Sequence, residues 1–167
     1  GGVMVFAKTS KSASRLSDQI RRGVFRKTYL AVTEGKLPEK SGRLEHYLKK
    51  DNNSNMVYVA GSESDGAKKA VLDYTVLEER EGLSIVRITL HTGRPHQIRV
   101  QMAYSGAPLY GDMRYGKERS RPGVQIALWS YRIAFEHPTA KEMLEFESKP
   151  PHIYPWNLFG HALNKEI

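Results

Sequence analysis

The stretch LSIVRITLHTGRPHQIRVQMAY, residues 83–104, combines a strand, a turn and a short helix. Leu83 to Leu90 is rich in β-branched residues and predicts a strand. Gly93 permits a sharp turn, and His96 to Tyr104 has an apolar spacing that predicts a short helix ending at Ser105. A strand that passes through a tight turn into a helix gathers the polar side chains of the turn at one junction.

Strand patterns recur on both sides of this stretch. The segments that predict strands are 27–32, 43–47, 56–60, 71–78, 83–90, 124–135 and 142–147. Helical patterns are few, and the alternation of strand and helix that builds a parallel sheet is missing. We therefore predict an α+β fold, a mixed, mostly antiparallel sheet with a few short helices, in a single domain over residues 1–167.

The N-terminal segment predicts a strand followed by a helix. Residues 3–7 alternate in a strand pattern that begins abruptly, so we expect further residues to precede Gly1. A helix capped by Ser10 or Ser12 should follow and end at Gly23. The expected buried positions of this helix are Ala13, Leu16 and Ile20. The tail from Pro150 has little regular pattern.

Basic residues are concentrated between positions 8 and 27, where Asp18 is the only acid. Such a run is consistent with a solvated helix face. It is equally consistent with a surface that contacts phosphate groups. On the second interpretation the RNA-binding residues are Arg15, Arg21, Arg22, Arg26 and Lys27.

Composition excludes several kinds of site. The chain has 26 Lys plus Arg against 18 Asp plus Glu, a net charge of +8, and no cysteine. Without cysteine there is no disulfide framework, zinc ribbon, iron–sulfur site or thiol nucleophile. The six histidines lack a helical metal-ligand spacing, so we expect no metal. No apolar run suits a membrane span or a signal peptide, and we expect a cytoplasmic protein whose first candidate partner is nucleic acid.

The turn after the strand at 83–90 is the strongest candidate site. Arg94 and Arg99 can each hold a carboxylate or phosphate through two parallel hydrogen bonds. His96 and Gln97 can donate hydrogen bonds at the start of a helix, where anions are favoured. The alternative is an ordinary capped turn with arginines on its surface. We favour a functional site because so many donors share one turn.

Residues 91–100, HTGRPHQIRV, resemble the H-T-G-R-x-H-Q-[IL]-R-V-H segment of the RluA-type pseudouridine synthases. Other segments resemble this family in the same order along nearly the whole chain. They are Gly2 to Thr9, the K-x-Y-x-A strand at Lys27 to Ala31, the G-x-P and G-D-x-x-Y-G loop at 106–108 and 111–116, and the strand from Ile126 to Pro138. The chain is thus identified as the C-terminal major part of a pseudouridine synthase catalytic domain.

The resemblance implies an enzyme that isomerises uridine to pseudouridine in RNA, ribosomal or transfer, without metal or cofactor and as a monomer. It implies that Arg99 pairs with the catalytic aspartate and that Tyr29 packs on the target base near its C5. Leu128 would line the pocket, together with Arg94, His96 and Gln97. A pocket for a base turned out of its stack needs an apolar wall and hydrogen-bonding groups of this kind.

Three departures from the family pattern affect this interpretation. Trp129-Ser130 and Gln101 stand where the family has other residues. The family's H-R-L-D loop, which supplies the catalytic aspartate, would lie ahead of Gly1, and the fragment alone is expected to be inactive. The aspartates that fall outside the matching position are Asp18, Asp51, Asp65, Asp73 and Asp112. The alternatives are a non-catalytic RNA-binding domain and a basic structural domain without pocket chemistry.

Overall fold

The computed structural model describes residues 1–63, 66–116 and 123–165. The strands are β1 (Arg26–Glu34), β2 (Ser41–Asp51), β3 (Met56–Ala60), β4 (Lys68–Arg80), β5 (Leu83–Leu90), β6 (Leu128–Glu136) and β7 (Met143–Glu147). The helices are α1 (Ser10–Arg21), α2 (Gln97–Tyr104) and α3 (Gly160–Lys165), the last preceded by a 3-10 turn at Trp156–Phe159. Asp65 and parts of the predicted loops at 61–66 and 106–123 lie outside the described residues.

Within the described ranges, the seven strands form one sheet in the order β3-β2-β4-β5-β1-β6-β7. Each neighbouring pair is antiparallel, so the predicted α+β class is confirmed. The parallel component expected of a mixed sheet is confined to an isolated bridge between Gly2 and Ser130. Because β1 lies between β5 and β6, Tyr29 lies opposite Ile88 of β5 on one side and Ser130 of β6 on the other.

Helix α2 covers one face of the sheet, and the C-terminal segment covers the other. The first face contributes Ala31, Leu72, Val86 and Ile88 to a cluster with Ile98 and Met102 of α2. The second contributes Leu30, Val32 and Ile85 to a cluster with Trp156, Phe159 and Ala162. The alternation of side chains along a strand explains why neighbours in β1 belong to different clusters. The prediction of an irregular tail was wrong, since a 3-10 turn and α3 cover this face.

Helix α1 is present where it was expected, but its cap and buried face differ from the prediction. Thr9 is the N-cap, and its hydroxyl accepts a hydrogen bond from the Ser12 N–H at 3.1 Å. Ala13 is exposed, and Ile20 retains 46% of its surface. The buried residues are Leu16 and Gln19. The side chain of Gln19 donates to the Glu136 carbonyl at 2.7 Å and accepts from the Glu136 N–H at 2.9 Å, so α1 is fixed to β6 by a polar contact that periodicity does not reveal.

Two predicted strand segments do not form. Residues 3–7 have no strand partner beyond a hydrogen bond from the Val3 N–H to Ser130, and Met4 and Phe6 are 71% and 81% exposed. Residues 124–127 precede β6 as irregular chain. An alternating segment forms a strand only where a partner strand is within hydrogen-bonding distance, and residues 3–7 have no such partner among the described residues.

Candidate functional site

The turn between β5 and α2 is held in place by its own side chains. The Thr92 hydroxyl donates to Gln97 Oε1 at 2.8 Å, and the Arg94 N–H donates to the same oxygen at 3.0 Å. Gln97 Nε2 donates to the Val71 carbonyl of β4 at 3.1 Å. Gln97 is 3% exposed. The structure therefore places this expected pocket residue inside the turn, where it ties the turn to β4.

His96, and not Gly93, adopts the left-handed backbone conformation of the turn. Its φ is 51° and its ψ is 19°, a region that residues with a side chain seldom occupy. Its Nδ1 lies 2.8 Å from the hydroxyl of Tyr115. Burial, followed by the charges of Arg99 and Arg114, lowers the pKa of His96. Gly93 lies in the turn as expected, but its φ is not in the left-handed region.

Arg99 has a carboxylate partner within this chain. Its Nε donates to Asp112 Oδ2 at 2.8 Å and its Nη2 to Oδ1 at 2.7 Å. The Asp112 side chain is fully buried and also accepts from the N–H groups of Arg114 and Tyr115. Burial raises the pKa of Asp112, but the hydrogen bonds from Arg99 and the backbone outweigh it and lower that pKa. Sequence analysis set Asp112 aside, whereas the structure makes it the buried partner of Arg99.

Tyr29 and Leu128 lie on the sheet face that α2 covers. Both pack against the cluster that contains Ile98 of α2. Tyr29 is opposite Ser130 in the register of β1 and β6, and Leu128 is opposite Ala31. Burial raises the pKa of the Tyr29 phenol, and a hydrogen bond with the Ser130 side chain offsets part of that effect. The departure at Ser130 therefore provides a polar partner for Tyr29.

An open cleft of about 730 Å³ separates the end of α1 from the candidate turn. Four basic residues line it, namely Arg21, Arg26, Lys27 and Arg94. Burial lowers the pKa of Lys27, and a Cβ on Gly93 would lie 3.6 Å from the Lys27 ammonium. Arg94 is oriented by a 2.8 Å hydrogen bond from its Nε to the Lys69 carbonyl. The cleft thus joins the predicted basic segment to the predicted turn.

The predicted RNA-binding residues on α1 contact other groups of the chain. Arg15 donates from Nη1 to the Pro138 carbonyl at 2.7 Å. Arg21 and Arg22 both bind Asp18. Arg15 and Arg22 lie, with Arg21, along a second cleft of about 440 Å³ on α1. Part of the positive charge of α1 is therefore balanced within the helix.

A charged cluster that sequence analysis missed lies at the edge of the larger cleft. Asp73 of β4 accepts from Arg43 Nε at 2.7 Å and from His91 Nε2 at 2.6 Å. The hydrogen bond from Arg43 is the main reason why the pKa of Asp73 falls to about 2. His91 lines the cleft. The three residues lie far apart in sequence and meet only through the pairing of β2 with β4 and of β4 with β5.

The remaining departures, Gln101 and Trp129, have internal partners. Gln101 is fully buried, and its Nε2 donates to the carbonyls of Leu44 and Ala70 at 3.1 and 3.3 Å. Trp129 donates from Nε1 to the Ser148 carbonyl at 2.9 Å. Gln101 therefore connects α2 to β2 and β4, and Trp129 connects β6 to the chain after β7.

No group of three or more His, Cys, Asp or Glu side chains in residues 1–63, 66–116 and 123–165 could hold a metal ion. Within the same ranges, no helix is both long and apolar enough to cross a membrane.

This chain is similar to a family of known proteins. The family model described as RNA pseudouridylate synthase matches residues 1–104. A protein of Mycoplasma pneumoniae named as an uncharacterized RNA pseudouridine synthase is 32% identical over 149 residues, which are 89% of this chain and 48% of that protein. Ribosomal large subunit pseudouridine synthase D of Neisseria meningitidis serogroup A is 34% identical over 163 residues, 90% of this chain and 42% of its own length.

Solved structures share the fold. Human RNA pseudouridylate synthase domain containing 1 superposes with a TM-score of 0.75 at 22% identity, covering 95% of this chain and 73% of that one. The chain spans about half the length of the curated relatives it matches.

Proposed function

Since the chain belongs to the RNA pseudouridylate synthase family, we propose that the protein isomerises uridine to pseudouridine in structured ribosomal or transfer RNA. The resemblance to this family stated from the sequence is confirmed. The observation that supports the proposed activity is the position of Tyr29, half-buried on one sheet face with Leu128 and close in sequence to Lys27 in the cationic cleft. Such a site combines an aromatic and apolar wall for a base with cations for its phosphates.

The proposed reaction uses the chain's residues for binding and orientation. The C1′–N1 bond of uridine breaks, a C1′–C5 bond forms, and the C5 proton leaves as N1 gains one. Reactant and product are isomers, so no cofactor has to supply electrons or a group. Arg26, Lys27 and Arg94 hold the flanking phosphates, while Tyr29 and Leu128 hold the base.

We propose that the carboxylate for this reaction approaches Arg99 from the family's H-R-L-D loop. The Gly1 nitrogen lies 3.4 Å from the Leu128 carbonyl, so Gly1 lies beside the proposed pocket. Asp112 uses Nε and Nη2 of Arg99, and we propose that Nη1 orients the catalytic carboxylate. A guanidinium at that position would keep the carboxylate ionised in a partly dry pocket. A cytoplasmic monomer remains our expectation for the working protein.

The test of this function is the release of tritium from RNA labelled at C5 of uridine, measured with the full-length protein. Bond formation at C5 displaces the label into water. We expect one tritium to be released for each pseudouridine formed. RNA binding without any release, by protein shown to be folded, would instead favour the non-catalytic RNA-binding alternative.

Tyr29→Phe is expected to lower kcat by about tenfold, the equivalent of one lost hydrogen bond of ~1.4 kcal/mol. The ring and its packing are retained, so the Kd for RNA should change by less than about twofold. Single-turnover tritium release and fluorescence anisotropy measure the two quantities. Tyr58→Phe, on the exposed edge strand β3, is the matched control. Equal losses in kcat and affinity would contradict the assignment of Tyr29.

Arg26→Gln and Lys27→Gln are each expected to reduce the slope of log Kd against log salt concentration by roughly one, because each removes one phosphate contact. The control is Lys36→Gln. Lys36 lies just after the opposite end of β1, roughly 30 Å away, and pairs with Glu79. Anisotropy titrations between low and moderate salt provide the slopes. If Arg26→Gln and Lys27→Gln show the same slope as the control variant, the cleft does not contact the RNA phosphates.

A further inference from the structure

Tyr115 connects three segments that are distant in sequence, namely its own loop, β3, and the start of α2 with His96. Its hydroxyl accepts a hydrogen bond from the Val57 N–H of β3 at 3.0 Å and lies 2.8 Å from His96 Nδ1. Its ring lies beneath the Arg99 guanidinium, 5.0 Å from the ring centroid to Cζ, a cation–π arrangement. One side chain thus contacts both His96 and Arg99.

The backbone around Tyr115 is fixed by the same loop that holds Arg99. Asp112 Oδ1 accepts from the Tyr115 N–H at 3.1 Å. Gly111, just before it, has a φ of 77°, and a Cβ there would lie 2.5 Å from the Gln125 carbonyl oxygen, so a side chain would displace the loop. The position of the Tyr115 ring is therefore set by the loop, independently of its contact with His96.

The hydrogen bonds of Tyr115 favour one tautomer of His96. A phenol has one O–H to donate, and the Val57 N–H already donates to its oxygen. Nδ1 of His96, 2.8 Å away, is in position to accept the phenol proton. A neutral imidazole that accepts at Nδ1 carries its proton on Nε2.

We propose that Tyr115 is a positioning residue that fixes His96 as the neutral Nε2–H tautomer and holds the Arg99 guanidinium against the face of its ring. His96 then offers an N–H donor to an oxygen of the RNA, either a base carbonyl or a phosphate. Only this last step rests on the proposed function. The backbone of His96 has a φ of 51° at the position where its ring contacts Tyr115.

The charges around His96 favour the same state. Burial lowers its pKa, as do Arg99, Arg114 and Lys50, whereas Asp112 acts in the opposite direction. His96 should therefore be neutral at pH 7, and only a neutral imidazole has two alternative tautomers. The T-shaped contact of the two rings, with centroids 5.8 Å apart, also limits rotation of the imidazole.

The spectroscopic experiment is a two-bond ¹⁵N–¹H correlation spectrum of the histidine rings, recorded over a pH titration. The wild-type protein should show His96 with a protonated Nε2 and an unprotonated Nδ1. In Tyr115→Phe the population of the Nδ1–H tautomer of His96 should rise, because Nδ1 no longer accepts a hydrogen bond from the phenol. Tyr104→Phe is the matched control, since Tyr104 makes a similar T-shaped contact with His46 and should leave His96 unchanged. A wild-type Nδ1–H tautomer, or the same tautomer populations in Tyr115→Phe as in the wild type, would overturn the proposal.

The kinetic experiment measures kcat and KM for the same variants in the full-length protein. Tyr115→Phe should lower kcat/KM by roughly three- to tenfold, the range of one hydrogen bond, and thermal unfolding should confirm that it is folded. An unchanged kcat/KM would overturn the positioning role. If the wild-type protein releases no tritium, the proposed function fails, while the tautomer of His96 is still decided by the spectra.

Discussion

Replacing Arg99 with lysine is expected to lower kcat by about a hundredfold or more while the Kd for RNA changes by less than about threefold. Lysine keeps a positive charge beside Asp112 but loses the planar fork that makes two parallel hydrogen bonds. The reacting carboxylate would then lack its orienting partner. Loss of one preorganised group of this kind typically costs 10²–10³ in rate. Single-turnover tritium release and RNA anisotropy, measured with the full-length protein, separate the two effects.

Alanine at the same position is expected to abolish turnover, but it also leaves the buried Asp112 without its guanidinium. Lysine is therefore the more informative change. Arg43→Lys is the matched control, because Arg43 makes a similar two-bond contact with Asp73 at an exposed position. Near wild-type turnover in Arg99→Lys, with Arg43→Lys equally active, would show that Arg99 has only a structural role.

Asp112→Asn is expected to lower the free energy of unfolding by about 3 kcal/mol at pH 7, the lower end of the range for a buried ion pair that loses one partner. The change keeps the volume of the side chain but leaves a half-buried guanidinium with a neutral neighbour. Chemical unfolding followed by circular dichroism measures the difference. Asp73→Asn, in a pair that is more than one-third exposed, should cost less than about 1 kcal/mol.

The stability difference between wild type and Asp112→Asn should depend on pH with a defined sign. The pKa of Asp112 is lowered below its ordinary value of 3.8 in the folded protein. Its contribution to stability is therefore fully present above that ordinary value and is lost as pH falls through the lower folded pKa. Unfolding curves at pH 7 and at progressively lower pH should show the gap narrowing. A gap that widens on acidification would show that Asp112 is not held as the ion.

Much of the candidate site could be predicted because the residues that indicate it are close together in sequence. The HTGRPHQIR segment combines a strand end, a turn and a helix start within a few residues, and short-range periodicity identifies each of these. Arg94 and Lys27 line one cleft because β1 and β5 are neighbours in the sheet.

Sequence reasoning failed where the decisive contact was long-range or polar. Ile20 looked like a core residue by spacing, yet it borders the cleft, whereas Gln19 is buried because Glu136 offers its backbone as partner. Gln97 looked like a pocket donor, yet its amide is used inside the turn. A polar side chain can be buried once its hydrogen bonds are met, and its type alone does not reveal whether a partner exists.

By itself, the sequence determined the class of fold, the order of the strands along the chain, the family and the basic turn that marks the candidate site. Only the tertiary structure decided that Asp112 holds Arg99 and that Tyr115 contacts His96 and Arg99. The physical reason is that strand and helix patterns follow from neighbours within a few residues, whereas a buried charge or a fixed tautomer depends on which distant groups the packed sheet and helix bring within hydrogen-bonding distance.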